Sequence, residues 1–156
     1  QRTAETALAT LNKHLADWSQ DIAMRTDGIN TLVSLGVKRL STITDIETRQ
    51  IQLIEQTEEA ALDEKPTKAM AENQQALASE LQRFKKELLE DDKANPDKDV
   101  RNLVSRIDAI EKIMANATAA LTADKGEDAI DPIEKSADAL AELKTLIESQ
   151  TARVSL

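Results

Sequence analysis

Side chains able to do chemistry are few in this chain, and they stand apart. His14 is the only histidine and there is no cysteine. A nucleophile needs a base beside it and a strained turn to present it, and no G-x-S-x-G pattern occurs. On the helical pattern around it, His14 falls next to Leu15 at the flank of an apolar stripe, the place of a solvent-edge side chain. Zinc sites want His and Cys ligands, which one His cannot supply. Two stretches, "ELLEDDKANPDKD" and "DKGEDAIDP", gather carboxylates. A calcium loop places oxygens at alternating positions around a glycine. Neither stretch has that order, and Lys93, Lys98 and Lys125 interrupt the charge, so both read as helix caps and solvated turns. Helical-bundle enzymes carry boxes such as Glu-x-x-His, but Leu11 stands three residues before His14. The expectation is a protein that is not an enzyme, with no catalytic residue, metal or cofactor. Asn116-Ala117-Thr118 matches the glycosylation acceptor triplet, on a predicted helix rather than a loop.

Two arginines raise a different possibility. Arg25 lies on the apolar stripe between Ile22 and Ile29, and Arg39 lies between Gly36 and Ile43. A guanidinium on a packed seam needs an anion. For Arg25 that anion is either a small anionic ligand held between helices or an Asp or Glu of the chain itself, fixing register.

The elements that would position these groups are helices. The chain has 156 residues, 40% of them hydrophobic, which suits one domain over 1–156 with a real core. Trp18 and Phe84 are its only aromatics, and there is no Tyr. A core of Leu, Ile, Ala and Val fits the narrow seam between near-parallel helices. The first stripe runs Leu8, Leu11, Leu15, Trp18, Ile22, Arg25, Ile29, Leu32 and on to Ile43 and Ile46. Its alternating three and four spacing is that of a coiled coil. Later stripes run Met70 to Leu88, Val100 to Leu121 and Ile133 to Val154. Pro66, the Asn95-Pro96 pair and Gly126 punctuate them, with Asp97 or Asp99 as one cap, Gly126 as a helix stop, and Pro132 opening the last helix.

Gly36 could end a helix, with Thr44 to Glu47 as a capping box for the next. The heptad register nevertheless survives across it, and Leu35, Val37 and Leu40 crowd it with apolar side chains. A loop has no reason to keep register. The expected fold is therefore all-α: an elongated, antiparallel, coiled-coil-like helical bundle. Its long first helix, straight or bent at Gly36, precedes three shorter ones. If that helix is continuous, the stretch from Leu8 to Ile29 needs another chain or a return pass of the fourth helix to cover it.

The formal charge of −9 is uneven: residues 1–56 carry net −1 and residues 57–156 net −8. An acidic surface disfavours nucleic acid and anionic lipid headgroups, and no apolar run is long enough to insert in a membrane. The partners expected are a protein or a second copy, through Leu8, Leu11, Leu15, Trp18, Ile22, Arg25 and Ile29. The chain starts and ends on a running helical pattern, the look of a segment of a longer protein. Two functions fit: an extracytoplasmic sensor domain that binds a ligand and transmits a signal along its helices, or an elongated cell-surface or secreted protein that binds a partner or forms a coat.

Overall fold

The computed structural model describes residues 2–155. Among them the chain forms four helices and no strand: α1 (Arg2–Leu62), α2 (Lys68–Ala94), α3 (Lys98–Thr122) and α4 (Gly126–Ser155). At 1.5 Å per residue α1 is about 90 Å long and the others about 40–45 Å. α1 packs on α4 and α2, and α3 packs on α2 and α4, so α3 lies diagonally across from α1. Cross-contacts such as Arg39 with Asp91, Lys85 with Asp108, and Gln150 with Asp99 show each neighbour running antiparallel to the last.

Helix α1 passes through Gly36 without a break, and no glycine has a positive φ. Residues 44–47 therefore lie inside a helix and cap nothing. Near one end of the bundle Gly36 faces Thr151, one turn before α4 reaches Ser155, and Gly126 at the other end of α4 faces Ala61.

The core follows the apolar stripes. One cluster contains Ile43, Ile46, Leu81, Phe84, Leu103, Ile107, Met114, Leu140 and Ile147. A smaller one contains Leu53, Ala71, Ala117, Leu121, Ala129 and Ile133. Between them lies a polar layer. Gln50 and Gln74 exchange amide hydrogen bonds of 2.8 and 2.9 Å, and Gln50 Nε2 also donates to Ser136 Oγ at 2.7 Å. All three are fully buried. The serine hydroxyl donates to the Ile133 carbonyl at 2.8 Å. This layer joins α1, α2 and α4 at one height. Sliding any of the three would leave buried amides unpaired, so it fixes the register.

The turns correct part of the sequence reading. Gly126 does not stop α3; it opens α4, and Pro132 lies inside that helix rather than at its first position. Pro132 has no N–H to give the Asp128 carbonyl one turn back. The stop is made by Asp124, at φ 56°, with Lys125 N–H donating to Ala120 O at 2.9 Å and Asp124 N–H to Leu121 O at 3.2 Å. Helix α1 stops in the same way: Glu64 sits at φ 55°, and Lys65 N–H donates to Ala60 O at 2.8 Å. Both are Schellman stops with an acidic residue where glycine is usual. They lie at the same end of the bundle and are tied together there. Thr67 donates its hydroxyl to Leu121 O at 2.6 Å and its N–H to Asp124 Oδ1 at 2.9 Å. At the opposite end Asp97 caps α3 by accepting from Asp99 N–H at 2.9 Å, as expected.

Candidate interaction face on the first helix

Residues 2–32 of α1 extend beyond the bundle as a stem about 45 Å long. Every side chain from Thr3 to Leu32 is exposed. The heptad register of the core continues along it, so the positions that bury Ile43 and Ile46 lower down carry Leu8, Leu11, Leu15, Trp18, Ile22, Ile29 and Leu32 here. These seven are between 43% and 64% exposed. Among the described residues, nothing covers them. Helix α4 meets Gly36 with Thr151 and is helical to Ser155.

The face opposite the seam is polar. Lys13, Gln20 and Asp27 lie there, and all three are exposed. The stem threonines turn inward on their own helix: Thr10, Thr26 and Thr31 each donate to the carbonyl four residues back at 2.9 Å. Gly28 has open space where a side chain would be. A helix containing an interior glycine and several threonines and aspartates has modest intrinsic propensity, and most helix stability in proteins comes from packing an amphipathic face. The stem has the face but, among the described residues, no packing partner.

Arg25 is not buried. Its Nη2 meets Asp21 Oδ2 at 3.1 Å, one turn back on the same helix, and its side chain is 77% exposed. The stem has no neighbouring helix to form an interhelical ligand pocket around it. Arg39, inside the bundle, is the packed arginine. Its side chain is 14% exposed and its Nη2 lies 3.1 Å from Asp91 Oδ2 of α2, so an internal carboxylate balances it. His14 is exposed. Among the described residues no three His, Cys, Asp or Glu side chains come together to hold a metal ion, and no helix is long and apolar enough to cross a membrane.

Two features of the bundle were less legible in the sequence. Gln50 occupies a seam position between Ile46 and Leu53, and Gln74 one between Met70 and Leu77, so both polar breaks are visible in the heptads. Their pairing with each other and with Ser136 is not. The close approach of Thr151 to Gly36 has only the glycine itself as a signal.

Comparison of the chain with protein-family models, with curated proteins and with solved structures finds no match.

Proposed function

We propose that the chain is a non-enzymatic helical interaction module, in which a self-contained four-helix bundle holds out a stem whose apolar seam docks a protein. The observation that carries this reading is the seam itself: seven large apolar side chains at coiled-coil spacing on a stretch of helix with no neighbour among the described residues. Large contiguous apolar patches are rare on monomeric proteins and mark interaction surfaces. The stem sequence also keeps to the pattern of a packed helix, with polar residues opposite the apolar ones.

Continuity of α1 favours a signal-transmitting version of this module. One helix runs from the stem into the bundle core, so a shift of α1 against α4 in the bundle would carry along the stem as a rigid displacement. An extracytoplasmic placement belongs to the same reading, and the cysteine-free, acidic composition suits it. The other version, an elongated cell-surface or secreted protein bound to a partner or built into a coat, draws on the same seam. A ligand of small anionic type would have to bind at the exposed Arg25–Asp21 pair, where the arginine already has its carboxylate.

Photo-cross-linking in the cell that makes the protein tests the module. A photoreactive residue at Trp18 or Ile22 is expected to give a discrete protein adduct. The same residue at Lys13 or Gln20, on the opposite face, is expected to give none. Absence of adducts from both seam positions overturns the reading.

A further inference from the structure

We propose that the occupant of the stem is a second copy of this chain, its stem running antiparallel to the first. The inference rests on the seam being an interface, and it names what fills it. Heptad positions pair across an antiparallel seam as one type against the other. The layers available are therefore Leu8 against Leu32 of the second copy, Leu11 against Ile29, Leu15 against Arg25 and Trp18 against Ile22, each occurring twice. This register is centred on Gln20 and covers every exposed seam residue from Leu8 to Leu32. Moving by one heptad in one direction drives Leu8 against position 39, which α2 already engages through Asp91. Moving in the other sets Ile29 against Ala4 in place of Leu11 and so loses a large apolar layer. In the chosen register residue 4 of one copy comes level with Gly36 of the other, where Thr151 of α4 packs on the first helix.

Charge selects the antiparallel sense. Residues 1–35 carry three Lys/Arg and four Asp/Glu, so residues 36–156 hold net −8 of the total −9. A parallel pair would set two such bundles side by side and stack Arg25 on Arg25 in one layer. Like charges so placed repel. The antiparallel pair puts the bundles at opposite ends of a shared stem and sets each Arg25 against Leu15, with Asp21 still one turn away on its own helix. The area is sufficient. At roughly 100 Å² for each half-exposed large side chain, the seven per copy remove roughly 1,400 Å² in all, within the range of about 1,200–2,000 Å² typical of stable complexes. The pairing is isologous and closes on itself, giving a dimer rather than a filament.

Sedimentation of the whole chain over a concentration series tests the pairing, together with a spin label at the exposed Thr10. The mass is expected to double from 17.2 kDa as concentration rises. The two Thr10 labels are then expected about 30 Å apart, the rise of the twenty residues that separate position 10 from position 30. Leu15→Lys/Ile22→Lys, which alters only the stem, is expected to weaken association by roughly 100-fold or more while the helical signal and unfolding midpoint of the bundle stay in place. A chain that remains at 17.2 kDa throughout overturns the inference. So do labels within about 20 Å of each other, which means parallel helices at ordinary packing distance, and so does a dimer indifferent to the two lysines. A monomeric chain whose Trp18 cross-links to a different protein overturns self-pairing and leaves the seam an interface; no adduct at all removes both.

Discussion

Thr151 of α4 packs its side chain directly onto Gly36 of α1. A Cβ placed on Gly36 would stand 2.8 Å from Thr151 Cγ2 and 3.0 Å from Thr151 Cβ. The threonine has little freedom to give way, being branched at Cβ and donating its hydroxyl to Ile147 O at 2.8 Å. This contact lies near the C-terminal end of α4, one turn before Ser155. Glycine is required there by closeness between helices, since its backbone is ordinary helix.

Gly36→Ala is therefore expected to destabilise the bundle by about 1–3 kcal/mol, although alanine is the better helix former by about 1 kcal/mol. Thr151→Gly added to it is expected to recover part of the loss by opening the space. Urea denaturation of the two single variants and the double variant checks this. A Gly36→Ala protein as stable as wild type contradicts the contact.

The helical content and most of the core were legible in the sequence because heptad spacing states which face of a helix is buried. Every residue of the Val100–Leu121 stripe named by that spacing is buried. The same spacing could not say where burial ends along α1, since Leu8 and Ile43 hold equivalent heptad positions, and burial depends on the helices packed beside them. The stop of α3 was misplaced because the chain uses Asp124 in the left-handed conformation, while the break before Pro66 falls where expected. Glycine is the usual residue there, and Gly126, two residues further on, drew the expectation away. Arg25 looked buried because the seam was taken to be packed; with no facing helix it is exposed, and its carboxylate is local.

The Gln50–Gln74–Ser136 layer gives a second prediction. Gln74→Leu leaves the Gln50 amide oxygen without its donor in a fully buried place, which is expected to cost about 1–3 kcal/mol. Gln50→Leu/Gln74→Leu removes both needy groups, while Ser136 keeps the Ile133 carbonyl. The double variant is expected to be more stable than Gln74→Leu alone. Losses that simply add would contradict a paired layer.

Lys85 supplies a pH signature. Its ammonium donates to Glu111 at 2.9 Å and to Asp108 at 3.1 Å. The hydrogen bond to Glu111, opposed by desolvation and aided by the bond to Asp108, raises its pKa above the ordinary 10.5. A raised lysine pKa stabilises the fold fully below 10.5, and the contribution fades as pH climbs through the raised value. Lys85→Met is expected to lose about 1 kcal/mol or less at neutral pH, with the gap to wild type closing in more alkaline solution. A gap that stays constant with pH would show that the lysine stem, and not its charge, carries the effect.

The exposed seam of the stem as a docking face is tested most directly by stepping a photoreactive residue through every position from Leu8 to Leu32 in the producing cell. Adduct yield is expected to rise at 8, 11, 15, 18, 22, 25, 29 and 32 and to fall at 13, 20 and 27, the alternating three and four rhythm of a packed helix. Yield spread evenly around the stem, or no adduct at any position, would contradict it.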